Sequence, residues 1–279
     1  MKPRKLAPGV LTTIPPEPLA EETLTGPRPI VEIVGSSKFN DWTPNHSPKT
    51  TTIKDIASRI TFRRTIWHLE FSFKPVRMIY VDIPQPTGKM QRKLIWYVVY
   101  RIRNTGAHMS PAASKTEYGH ELYAPARQNY SVRFFPRFLF EAHKEKKAYM
   151  DRVIPIAIPA IQRREDPAIR LFNSVQISQI DIPVSTEASD KSVWGVATWT
   201  DIDQRTDFFS IYVQGLTNAH KWVDPEGAWK DGDPPGTGRR YAVKTLQLNF
   251  WRPGDTIDPH EDEIRFGIPG KPTYQYVYR

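Results

Sequence analysis

Residues 218–238 read NAHKWVDPEGAWKDGDPPGTG and set Trp222 and Trp229 in a polar stretch rich in glycine and proline. Stretches of that composition run as loops over surfaces. An indole on a surface can stack on a sugar face or pack against a partner protein. Lys221, Asp224, Glu226 and Asp231 stand close by in sequence, with groups able to hydrogen-bond the edges of a polar ligand. These six residues form the candidate ligand-binding set. The competing expectation folds both rings back to cap one end of the core, since tryptophan is highly buried on average.

Other spacings that suggest chemistry fail on their details. Residues 233–240, DPPGTGRR, look like a phosphate loop, but Asp233 stands where a first glycine is needed. Arg239 replaces the lysine and Arg240 the magnesium-binding hydroxyl. A strand pattern follows in place of a helix whose N-terminus would face the anion, so a plain hairpin loop is expected. Asp201, Asp203 and Asp207 offer oxygens to a hard cation but lack the turn glycine and closing glutamate of a calcium loop, which favours a solvated turn. The seven histidines form no helical ligand pair, and residues 259–263 (PHEDE) read as an exposed acidic turn. With no cysteine and no Gly-x-Ser-x-Gly elbow, no catalytic, cofactor or metal residue is assigned. A hydrolase built on dispersed carboxylates stays open as a lesser alternative.

The elements that must position these residues follow from composition and periodicity. The chain has 279 residues, 39% hydrophobic and 12% aromatic, enough for a real core. Its 26 prolines argue against a mostly helical fold, because each interior proline costs a helix about 3 kcal/mol. Zero cysteines exclude disulfides and thiolate sites. The longest uncharged apolar stretch, residues 153–162, contains two prolines and is half the ~20 residues that a membrane span requires. Residues 1–18 open with basic residues but break into prolines before any apolar export core.

Nine prolines in residues 1–59, without regular apolar spacing, predict a proline-rich extended N-terminal segment over 1–60. A single β-sandwich domain is expected over 61–279. Alternation of Trp67, Leu69, Phe71 and Phe73 with His68, Glu70, Ser72 and Lys74 predicts a half-buried strand. Residues 94–103 (LIWYVVYRIR) predict a central strand covered on both faces. Further strands are expected over 78–83, 132–141, 175–180, 193–199, 208–213 and 243–251, with Pro136 marking an edge or bulge. One helix of about two turns fits residues around Ile158 and Ile161, stopped before Pro167. Eight short strands with at most one helix point to a mainly β, antiparallel sandwich.

Charge is unevenly spread. Residues 59–170 carry +12 and residues 171–279 carry −4. No base-reading pattern accompanies the basic segment, so specific nucleic-acid binding is not expected, and the acidic segment is expected to fold against it.

Three segments read together, residues 95–104 (IWYVVYRIRN), 193–218 and 244–255 (KTLQLNFWRPGD), resemble an uncharacterised bacterial family of planctomycete type. The resemblance spans roughly residues 65–265 and implies a single immunoglobulin-like sandwich, often exported or periplasmic. It implies no activity, cofactor or catalytic residue. The functional expectation is a non-enzymatic protein-interaction or structural module of the envelope, with an unknown protein or glycan partner; a carbohydrate-binding module is the alternative.

Overall fold

The computed structural model describes residues 11–27, 61–223, 225–228, 230, 233, 234, 236–254 and 263–279. Eleven of its strands carry the architecture: β1 (Thr12–Ile14), β2 (Glu70–Phe73), β3 (Arg77–Pro84), β4 (Met90–Arg103), β5 (Arg137–Ala142), β6 (Lys147–Met150), β7 (Val193–Trp199), β8 (Phe208–Gln214), β9 (His220–Val223), β10 (Arg240–Trp251) and β11 (Tyr274–Tyr278). The first sheet runs β1-β2-β4-β7, and β3 pairs with the N-terminal half of β4. The second runs β6-β5-β8-β10, with β9 and β11 pairing different stretches of β10. All of these pairings are antiparallel.

The two sheets share one core because β4 presents alternate aromatic and branched side chains to each side. Trp96, Val98, Tyr100 and Ile102 meet Phe138, Phe140, Phe209 and Phe250 of the second sheet. Trp96 sits edge-on to Phe140 at 5.5 Å and to Phe209 at 5.6 Å, the geometry preferred by ring quadrupoles. On the opposite face Ile95, Tyr97 and Val99 pack under α1 (Ala157–Glu165) through Ala157 and Ile161. The central strand is therefore covered on both faces, as its continuous apolar run predicts. Of the strand tryptophans, Trp96 and Trp199 are fully buried, while Trp67, Trp194 and Trp251 are partly covered.

Helix α1 ends where the sequence requires: the Asp166 N–H closes on the Gln162 carbonyl, and Pro167 forbids another turn. Residues 175–180, expected as a strand, instead contain α2 (Ser174–Ile177). The reason is a capping box. The Asn173 side chain accepts from the backbone N–H groups of Val175 and Gln176, and Gln176 Oε1 accepts from the Asn173 N–H. This local bonding overrides the β-branched composition. At Pro136 the chain leaves Val132–Arg133, which pairs with Asp181–Ile182, and enters β5.

Of the polar face expected to be solvated on residues 67–74, only Glu70 stays partly exposed. His68, Ser72 and Lys74 are all inaccessible. Segments distant in sequence cover them. Thr13 of β1 hydrogen-bonds Ser72 at 2.9 Å, Glu22 faces His68, and Glu165 at the end of α1 faces Lys74. Part of the proline-rich segment is thus built into the fold: β1 adds an edge strand beside β2 and places Ile14 in the core. Residues 1–10 and 28–60 lie outside the described residues.

Candidate binding surface

Strands β9 and β10 form a hairpin in the register His220↔Val243, Trp222↔Tyr241 and Val223↔Arg240. Period-2 alternation places His220, Trp222 and Tyr241 on one face. Their rings form a triangle: 6.4 Å from Trp222 to Tyr241 with a 57° tilt, 6.0 Å from His220 to Trp222, and 5.7 Å from His220 to Tyr241. The Arg239 guanidinium lies 5.0 Å from the Trp222 ring centre, and the Lys221 ammonium, on the other face, 4.2 Å from that of Tyr278. Trp222 is half-buried. Tyr241 is 60% exposed on this face, and Val223, on the opposite face with Lys221, is 67% exposed.

The hairpin base is fixed to the body. Asn218 Oδ1 accepts from the Trp67 N–H at 3.0 Å, and its amide nitrogen donates to the Thr65 carbonyl at 3.0 Å. Arg64 donates to the His220 carbonyl at 3.1 Å. Burial, then the Arg64 charge, pushes the His220 imidazole below its ordinary range, so the ring is neutral at pH 7. Residues 233, 234 and 236–239 form turns leading into β10, as their proline and glycine content predicts.

Of the sequence candidates, the structure brings Trp222 and Lys221 together on one strand, facing opposite sides, and leaves Glu226 exposed in the turn. Trp229, Asp224 and Asp231 lie outside the described residues, as do residues 259–262 of the acidic turn. Sequence reasoning missed His220, Val223 and Tyr241. Their signal was cross-strand pairing across a long loop, which is invisible until β10 is seen to begin at Arg240 rather than Val243.

Two buried ionic centres hold the body together. Glu22 receives Lys244 Nζ at 2.5 Å and the Tyr278 hydroxyl at 2.8 Å, with His68 Nε2 3.7 Å away. Burial, then Lys244 and with a smaller push from His108, lowers the His68 imidazole to about 4 against the pull of Glu22. Glu165 faces Lys74 and Arg77 and accepts from the Tyr97 hydroxyl at 2.7 Å. Burial, then the Glu165 charge, raises the Tyr97 phenol.

A serine–histidine contact exists but is wired the wrong way for nucleophilic attack. Asn249 donates to the Pro272 carbonyl at 2.7 Å, which turns its Oδ1 toward Ser210 Oγ at 2.6 Å. An amide oxygen only accepts, so Ser210 gives its one proton there. His143 Nε2, 2.8 Å from Ser210 Oγ, must then donate to it. It cannot act as that hydroxyl's base. Asp201 pairs with Lys93 at 3.1 Å and Arg152 at 3.6 Å, while Asp203 Oδ1 accepts from the Arg205 N–H. Among the described residues no three His, Asp or Glu side chains gather as a metal site, and no helix is long and apolar enough to cross a membrane. No protein-family model, curated protein or solved structure matches the chain.

Proposed function

We propose that the chain is a non-catalytic interaction module of the bacterial envelope, an immunoglobulin-like β-sandwich that presents the β9–β10 hairpin to a protein partner. One observation carries the functional part: Tyr241 stands more than half exposed beside Trp222, with Val223 equally open on the opposite face, on a hairpin whose base is locked to the body. Exposed aromatic residues on a rigid element fill partner pockets at little entropic cost. Lys221, Arg239 and Arg240 lie within the same hairpin, which favours a partner with an apolar side chain set among carboxylates.

The immunoglobulin-like part rests on strand order. The neighbours β2-β4-β7 and β6-β5-β8-β10 follow the A-B-E and C′-C-F-G order of that fold, with α1 and α2 in the stretch where strand D would run. A glycan partner is the weaker reading. Sugar stacking needs a bare ring face, whereas Arg239 lies over Trp222 and the two rings are tilted by 57°. The envelope location rests on the family resemblance. Fractionation of the native bacterium that recovers the protein only with cytoplasmic enzymes refutes it.

The experiment is affinity capture with wild type and the double variant Val223→Asp, Tyr241→Ala. The expected result is a partner retained by wild type and lost by the variant at an unchanged melting temperature. Equal retention of every captured protein contradicts the reading.

A further inference from the structure

A cavity of about 420 Å³ opens between the end of β3 and the segment that leads into α1. Its volume lies within the ~300–1,000 Å³ range of small-molecule sites. One wall is Ile83 and Pro84; the other is residues 153–156. That segment is anchored by Ile154, which points into the packing under α1, and by the backbone of Arg152, whose N–H donates to the Thr198 carbonyl at 2.8 Å. Anchoring through Ile154 turns Val153 and Ile156 outward, 41% and 43% exposed. Neither serves the core, yet both line the cavity.

Lys93 and Arg152 supply the polar end. Both reach a single carboxylate, that of Asp201, so two cations share one anion. Asp201 holds this position with φ of 63°, a left-handed conformation that is uncommon for any residue but glycine. Arg152 NH1 also donates to Thr200 Oγ1 at 3.3 Å, which directs the guanidinium along the cavity rim.

We propose that this cavity binds a medium-chain aliphatic carboxylate, with the hydrocarbon against Ile83, Pro84, Val153 and Ile156 and the carboxylate between Lys93 and Arg152. The site is separate from the hairpin surface and does not depend on the interaction reading. The head is an anion because the excess charge at the polar end is positive. The tail is aliphatic because the walls are branched hydrocarbon and proline, with no ring to stack on. A chain of about six to ten carbons suits a cavity of this class.

Calorimetric titration with butanoate, hexanoate and octanoate tests the proposal, with octanol as the neutral control. Affinity rises about two- to fourfold per methylene as each CH₂ leaves water, and octanol binds about tenfold more weakly than octanoate because its neutral hydroxyl lacks the carboxylate's charge and second acceptor oxygen. The decisive variant is Asp201→Asn, since asparagine tolerates the left-handed conformation and the fold is kept. Removing the competing carboxylate tightens octanoate binding about threefold or more, and Lys93→Gln loosens it. Equal affinity for octanoate and octanol, an unchanged affinity in Asp201→Asn, or no saturation by ~10 mM octanoate overturns the proposal.

Discussion

His68 carries the clearest residue-scale consequence. Its imidazole is 2% exposed, beside Lys244 and Glu22 and near His108, and stays neutral in the folded chain down to about pH 4. In the unfolded chain the same ring binds a proton near pH 6.5. Between these values the unfolded state holds one more proton, so stability rises with pH across the window and is lost as pH falls through it. Between pH 7 and pH 4.5 this single ring accounts for a loss of about 2–3 kcal/mol. Denaturant unfolding at both pH values should show that loss in wild type and a flatter response in His68→Gln; identical responses contradict the assignment. The alternation around His68 was legible in the sequence, but its burial was not. The covering residue, Glu22, comes from a segment that shows no periodicity and is held by partners far along the chain, Lys244, 222 positions away, and Tyr278 among them.

At the scale of elements, β4 was legible because its composition and length together demand two covered faces, and α1 because Pro167 dictates its end. The error at residues 175–180 came from reading Val175, Ile177 and Ile180 as strand formers while passing over the Asn173–Gln176 capping box. Local side-chain bonding to orphan helix N–H groups outweighs β propensity in a segment this short. The pairing of β4 with β7 has its own checkpoint at Gly195, which stands opposite Tyr100. A Cβ there would lie 2.6 Å from Cε2 of Tyr100, a ring that is fully buried and touches Phe71, Phe134 and Phe138. Gly195→Ala therefore destabilises by about 1–3 kcal/mol through overpacking. A melting temperature equal to wild type indicates that the sheet is paired differently.

The whole molecule explains the charge asymmetry. Cations of the basic middle segment meet carboxylates of the acidic one: Arg101 and Arg103 with Asp190, Arg133 with Asp181, Lys93 and Arg152 with Asp201. Three carboxylates thus offset part of the +12 within the fold. We expect only weak, salt-sensitive association with DNA or RNA. Titration at two salt concentrations should show no sequence preference, and a specific complex tighter than ~10⁻⁷ M at physiological salt contradicts this. The hairpin was half legible, since two indoles in a loop flagged the region, but the apolar patch required β10 to lengthen by three residues. The central claim is that this hairpin end is a partner surface. A photo-crosslinking amino acid placed at Tyr241, with another at the exposed Lys146 as control, tests it most directly in the cells that produce the protein naturally. The account predicts a discrete protein adduct at position 241 that is absent at position 146 and disappears when Trp222→Ala is added. Adducts of equal yield at both positions, or an adduct at 241 that survives Trp222→Ala unchanged, contradict it.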